Sequence, residues 1–250
     1  MKNAEHKEGL GQVFTKRVIA EYMISLLDTP KTGAVLDPCF GGGAFIEAFN
    51  KVGYQNITGY EIDREWYKQA QDTFSNVKLI CSDFLKAPSS VKYDAIVMNP
   101  PYIRQEKIDN LEEYGISKKT LAVDPIYRGL PKTANLYMYF VAKAISLLLD
   151  NGELVVIFPI SWTSARVVDE FKQYLDKVCY ITDQITVQGA AFEENALVEV
   201  FILRIQKKPP NKKLRKAALK LVDDYITENV CYVPKINLKT KLIHFLFQIM

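Results

Sequence analysis

Short apolar runs and longer runs with helical spacing take turns along the chain. Val18 to Leu27 carries its apolar residues at helical spacing. Ala34 to Asp37 is a brief apolar run stopped by Pro38 and glycines, which predicts a buried strand. Phe45 to Lys51 predicts a helix, Asn56 to Glu61 a second strand and Glu65 to Phe74 a further helix. Val77 to Cys81 and Tyr93 to Met98 are the third and fourth strands. A strongly apolar helix follows over Leu136 to Leu149, then a fifth strand over Glu153 to Phe158. Arg166 to Leu175 predicts a helix, and Tyr180 to Val187 and Glu199 to Ile205 predict two later strands. Strands alternating with helices imply an α/β fold, here a mostly parallel sheet of seven strands with helices on both faces. Ligands of such sheets bind at the carboxyl ends of the strands.

Two stretches break this rhythm. Ile103 to Ala134 is long for a connection in a compact domain, and loops of that length are usually functional or disordered. Lys207 to Lys216 (KKPPNKKLRK) is basic, contains two prolines and reads as a linker or exposed edge. A boundary is therefore expected between a catalytic domain, residues 1–206, and a linker with a short tail, residues 207–250.

Composition narrows the class only modestly. The hydrophobic fraction of 48% and charged fraction of 24% are ordinary for a globular protein. The four cysteines are scattered without a CxxC pair and there are two histidines, so no metal site is expected. Reduced thiols and a cytoplasmic location are the simpler expectation. The charged N-terminus has no secretory character and no apolar run is long enough for a membrane span. A net charge of +3 permits nucleic-acid binding without arguing for it.

The chemistry sits at predicted strand ends. Asp37-Pro38-Cys39-Phe40-Gly41-Gly42-Gly43-Ala44-Phe45 leaves the first strand and opens a helix. Glycines let backbone approach a ligand closely, although such a cluster also serves simple tight turns. A dinucleotide site would want a glycine at Ile46, and Asp37 would repel a pyrophosphate. A cationic ligand such as S-adenosylmethionine, with an ammonium and a sulfonium, suits Asp37 better. Glu61 ends the second strand and could accept two ribose hydroxyls, with Ile62 covering an adenine ring. Asp83 follows the third strand and could accept from an adenine amino group, with Phe84 packing on the ring. Taken alone, Asp83 reads first as a turn cap.

Asn99-Pro100-Pro101-Tyr102 follows the fourth strand. Two prolines stiffen the backbone and remove two N–H donors. The segment offers two acceptors, the Asn99 side chain and the Pro100 carbonyl, and one aromatic face, Tyr102. That set fits an amine on a planar ring. Acceptors gripping the N–H bonds favour a tetrahedral nitrogen and stabilise the positive charge that develops as it attacks a methyl group. No strong general base is needed.

These motifs resemble the amino-methyltransferases, and more narrowly the adenine-specific DNA methyltransferases of restriction-modification systems, in the NPPY class and gamma group. Gly11-Gln12-Val13-Phe14-Thr15 is similar to the family's N-terminal cofactor segment, with Lys16 where proline is usual. DPCFGGGAF is similar to its DPxxGxGxF loop, and the order of segment, loop and NPPY is that of the gamma group. The resemblance implies a Rossmann-like S-adenosylmethionine-dependent methyltransferase fold acting on the N6 amino group of adenine in double-stranded DNA. It implies cofactor contacts from Phe14, Thr15, Asp37, Pro38, Gly41, Gly43, Phe45, Glu61, Ile62, Asp83 and Phe84. It also implies that a flipped adenine stacks between Tyr102 and Phe192.

Relatives of this group usually continue into a DNA-recognition domain, whereas only 34 residues follow the basic stretch here. A truncated or split enzyme, or one served by a separate recognition subunit or nuclease, is therefore expected. Two alternatives stay open. The same fold could act on RNA or a protein glutamine, or the chain could be a non-catalytic nucleic-acid-binding module.

Overall fold

The computed structural model describes residues 13–159, 166–187, 192, 200–209 and 241–242. Eight strands form one sheet: β1 Ala34–Asp37, β2 Asn56–Glu61, β3 Lys78–Cys81, β4 Tyr93–Met98, β5 Leu148–Pro159, β6 Cys179–Val187, β7 Val200–Lys207 and β8 Lys241–Leu242. Their spatial order is β3-β2-β1-β4-β5-β7-β6-β8. β3 through β5 run parallel, whereas β7 runs antiparallel to both β5 and β6. The two-residue β8 extends the expected seven strands at the β6 edge.

The helices are α1 Arg17–Ser25, α2 Ala44–Lys51, α3 Arg64–Thr73, α4 Lys118–Val123, α5 Leu136–Leu147 and α6 Arg166–Val178. Alternation along the central strands divides the core. Val35, Ala95, Val97 and Val155 face Ile19 and Met23 of α1 and Phe45 and Phe49 of α2. Leu36, Ile96, Met98 and Val156 face α5 and α6 through residues such as Met138, Val141, Phe171 and Leu175. Both sheet faces are therefore covered, which is why the central strands read as continuous apolar runs. Chain order reverses beside β1, whose neighbours are β2 and β4. Such a switch point opens a crevice at the carboxyl ends of the strands.

Two expectations are corrected. The apolar helix expected over Leu136 to Leu149 ends at Leu147, because Leu148 already pairs with Tyr93 as β5 begins. Asn151, at φ 64°, and Gly152 then turn the chain before Glu153 pairs with Ala95. The long connection after Tyr102 is not an unstructured loop. It contains 3-10 turns at Gln105–Tyr114 and Pro125–Tyr127 around α4, and it buries Ile108, Leu111, Ile116 and Leu121 in the core. The basic stretch is described only at its start, where the Lys208 amide donates to the Val178 carbonyl. The rest of it and the apolar tail lie outside the described residues. None of the described helices is long and apolar enough to cross a membrane.

Candidate active site

A cavity of about 370 Å³ opens at the carboxyl ends of β1, β2, β3 and β4, within the range of small-molecule sites. Its walls come from several separated pieces of sequence. Residues 13–17 contribute Val13, Phe14, Thr15 and Arg17. The glycine loop contributes Pro38, Cys39, Gly41 and Phe45, and the ends of β2 and β3 contribute Glu61, Ile62, Asp83 and Phe84. Asn99 and Pro101 close the side toward β4.

Asp37 lies just beneath this wall. It is fully buried, its Oδ1 accepts the Cys39 amide at 3.3 Å, and its Oδ2 has no hydrogen-bond partner among the described residues. Burial pushes its carboxyl well above the usual carboxylate range, and the Glu61 charge adds to that rise against the Cys39 amide. An unsatisfied buried acceptor of this kind costs free energy, so it calls for a cationic or donor group.

Glu61 uses both oxygens locally. Oε2 accepts the Gly41 amide and Oε1 the Asp63 amide, each at 2.8 Å. The carboxylate thereby ties the glycine loop to the turn that starts α3, and its remaining lone pairs stay available. Burial raises its pKa as well, partly offset by those two amides. Asp83 is both a turn cap and a wall residue. Its Oδ1 caps the Phe84–Lys86 turn by accepting the Leu85 amide at 2.9 Å, and the residue also lines the cavity.

The glycines divide their labour. Gly41 adopts φ +47°, and a Cβ there would come within 3.1 Å of the Phe14 ring. Gly43 caps α2 at φ +83°, and a Cβ would sit 2.6 Å from Phe74. Gly43 therefore lets α2 pack against the end of α3 and is not on the cavity wall, whereas Gly41 is.

Asn99 is held on both sides. Its Nδ2 donates to the Val13 carbonyl at 2.8 Å and to Thr15 Oγ1 at 2.9 Å. A carbonyl can only accept, so this contact orients the amide and turns Oδ1 toward Tyr102. The Tyr102 hydroxyl lies against both Asn99 Oδ1 and the Ile157 carbonyl, the latter at 2.7 Å. One hydroxyl proton serves only one of these acceptors at a time. Burial holds the Tyr102 hydroxyl well above its ordinary pKa, so it keeps that proton. Cys39 Sγ donates to the Asn99 backbone carbonyl at 3.2 Å and joins the glycine loop to the same motif. Pro100 is buried and off the cavity wall.

Tyr102 and Phe192 are neighbours, with ring centroids 6.4 Å apart and planes inclined by 57°. The tilted rings touch each other and leave no open slot for a base between them. Phe192 is buried and bridges Thr15 in antiparallel fashion. Sequence reasoning missed several wall residues: Trp66 and Arg17, together with Ile103, Leu111 and Ile116 of the long connection and Leu136 and Phe140 of α5. The apolar positions three to five apart in the charged stretch 105–121 were the available signal for the connection.

The model of the Eco57I restriction-modification methylase family matches residues 24–191. The chain belongs to that family. It is 33% identical over 170 residues to the type II methyltransferase M.HincII of Haemophilus influenzae, covering 68% of this chain and 32% of that protein. It spans about a third of the length of the curated relatives it matches first. Among solved structures, a Listeria monocytogenes protein assigned to the class I S-adenosylmethionine-dependent methyltransferases superposes with a TM-score of 0.63 at 17% identity, covering 86% of this chain and 68% of that one. The type I restriction-modification methyltransferase subunit of Streptococcus thermophilus superposes with a TM-score of 0.64 at 17% identity, covering 86% of this chain and 53% of that one. The fold of this family member is thus that of the S-adenosylmethionine-dependent methyltransferases.

Proposed function

We propose that this chain carries the catalytic domain, residues 1–206, of a type II restriction-modification methyltransferase that methylates N6 of adenine in double-stranded DNA. The observation that carries this reading is the Asn99 side chain. Its nitrogen is committed to residues 13 and 15, so its oxygen faces Tyr102 as an acceptor at the cavity edge. An aromatic amine would take the place of the Tyr102 hydroxyl there.

S-adenosylmethionine is the cofactor this fold implies, and the cavity suits it. The orphaned Asp37 Oδ2 wants a cation or donor, Glu61 has lone pairs to spare, and Gly41 leaves room where a Cβ would crowd Phe14. When bound, the cofactor supplies a methyl group activated by its sulfonium. The residues of this chain bind, orient and exclude water. Asp37, Glu61, Asp83 and Phe84 would hold it, with Phe14, Thr15, Pro38, Phe45 and Ile62 around them. Asn99, and the Pro100 carbonyl once the buried motif shifts toward the cavity, would accept the two N–H bonds of the target amine and hold the positive charge that grows on it. Tyr102 would leave Asn99 and turn its face to the base, with Phe192 opposite, so that stacking offsets part of the cost of flipping.

The cytoplasm is the proposed location. Target choice is proposed to need a recognition element outside residues 1–206, in a further domain, a partner subunit or the associated nuclease system. The test is transfer of tritium from labelled cofactor to unmethylated duplex DNA, ribosomal RNA and a protein extract, with and without a candidate recognition subunit. Label on DNA is expected. Label confined to RNA or protein would overturn the choice of substrate, and no label anywhere would overturn the assignment as an active enzyme.

Two further outcomes concern the cofactor. Glu61→Ala removes acceptors for the Gly41 and Asp63 amides as well as the cofactor's, so affinity should fall roughly 10- to 100-fold. Titration calorimetry checks this, and an unchanged affinity would remove Glu61 from the site. The second is pH dependence. Asp37 and Glu61 have raised pKa values in the free protein, mainly through burial. A bound cation favours their ionised forms, so the complex holds fewer protons than the free protein. Affinity should therefore rise as pH rises above the ordinary carboxylate range, and level off once both groups are ionised. Calorimetry in two buffers of different ionisation enthalpy should show proton release on the acid side. Proton uptake there would contradict the assignment.

A further inference from the structure

We propose that Trp66 is a cofactor-binding residue, forming with Phe14 a two-ring clasp that fastens residues 13–17 over the cavity and sets how long the cofactor stays. This rests on the reading of the cavity as the cofactor's, and goes beyond it by adding a residue that neither the motifs nor the strand ends indicate.

Residues 13–17 form part of the cavity wall and are fastened at several places, the Thr15–Phe192 bridge among them. In the middle, Asn99 Nδ2 holds the Val13 carbonyl and Thr15 Oγ1 at 2.8 and 2.9 Å. Toward α2, Arg17 Nη1 pairs with Glu47 Oε1 at 3.1 Å, and both residues belong to the cavity wall. That pair is exposed, with side-chain accessibilities of 74% and 44%, so it is screened and weak. Toward α3, the Phe14 and Trp66 rings meet with centroids 5.0 Å apart and planes inclined by 55°. Phe14 at the same time lies over Gly41 and Gly42, so the ring pair spans from the glycine loop to α3.

Trp66 is also well anchored for this task. Asp63 caps α3 by accepting the Glu65 and Trp66 amides, and the Asp63 amide is itself held by Glu61. One carboxylate thus positions both ends of the clasp, through Gly41 beneath Phe14 and through the turn that carries Trp66. Tilted aromatic pairs at this spacing are attractive in themselves, and they can separate and re-form without rebuilding the backbone. Closing large apolar faces over a bound ligand also keeps water from it. Phe14 and Trp66 both line the cavity, so a ligand leaving between them would have to part these rings.

The experiment measures cofactor dissociation from the full chain, by chasing bound radiolabelled S-adenosylmethionine with excess unlabelled cofactor. Trp66→Ala and Phe14→Ala should each speed dissociation about five- to tenfold, Trp66→Phe by less, and the double alanine variant no more than the faster single variant. Thermal unfolding without ligand provides the control for a merely structural role. If Trp66→Ala lowers the melting midpoint by more than a few degrees, Trp66→Leu, which keeps apolar bulk but no ring, takes its place with the same expectation. Unchanged dissociation in the ring-free variant, or multiplicative effects in the double variant, would overturn the clasp while leaving the cavity's assignment intact. A wild-type chain that binds no cofactor would overturn both.

Discussion

Asn99→Ala should reduce methyl transfer by roughly 100- to 1,000-fold, the size of loss seen when a single preorganised polar contact to a developing charge is removed. The substitution deletes Oδ1, the acceptor that Tyr102 now occupies. It also deletes the amide that holds Val13 and Thr15. Cofactor affinity should therefore fall too, but by no more than about thirtyfold, since the two neutral contacts contribute on the order of 1 kcal/mol each and the other fastenings of residues 13–17 remain. Asn99→Asp separates the two roles. It keeps an acceptor for the amine but turns a second oxygen against the Val13 carbonyl. Its turnover should exceed that of Asn99→Ala while its hold on the cofactor is the weaker. Single-turnover rates at saturating cofactor, with affinities from calorimetry, check both parts. Turnover within tenfold of wild type in Asn99→Ala would refute the acceptor role.

Arg204→Ala should destabilise the fold by about 3–5 kcal/mol, because it strands a buried carboxylate. Arg204 lies on β7, almost wholly buried, and its Nε donates to Glu153 Oε1 at 3.1 Å. Its Nη2 reaches both Glu153 and Asp28, and its Nη1 lies 3.5 Å from Asp183 Oδ2. Glu153 Oε2 meanwhile accepts from the Thr29 amide and hydroxyl at 2.8 and 2.7 Å. Burial disfavours the Arg204 charge, yet Glu153 and Asp28 hold its pKa above the usual value. Without the guanidinium, Glu153 would keep only its contacts to residues 28 and 29, with Asp28 and Asp183 adding like charge nearby. A loss of this size corresponds to a fall of roughly 6–20 °C in melting midpoint for a domain of this length. The network sits at the end of β5 opposite the cavity, so cofactor affinity of the folded protein should be unchanged. A shift below about 2 °C would show that the network is not structural.

The parts of the site that could be read from the sequence share a physical basis. Buried parallel strands are short apolar runs, and the residues beyond their carboxyl ends are their immediate neighbours in the chain. Asp37, Glu61, Asp83 and Asn99 could therefore be placed at strand ends without knowing how the strands pair. Contacts that depend on pairing were not legible. Arg204 and Glu153 meet only because β7 lies beside β5 and runs against it. Trp66 reaches Phe14 only because the segment before α1 crosses back over the glycine loop. The junction at Leu147 and Leu148 was hidden for another reason. An unbroken leucine run has no period of its own, so helix and strand look alike there. Tyr102 was expected to turn its face to a base, whereas its hydroxyl rests against Asn99 and the Ile157 carbonyl, because a tyrosine's apolar ring and polar tip allow it both to stack and to donate.

The most direct test of the central claim is the identity of the methylated nucleoside. Duplex DNA treated with cofactor and the full chain, with its recognition partner if one is needed, would be digested and analysed by mass spectrometry. N6-methyladenine is expected from the wild type and should be nearly absent with Asn99→Ala. Methylated cytosine in its place, or N6-methyladenine at equal levels from both proteins, would contradict it.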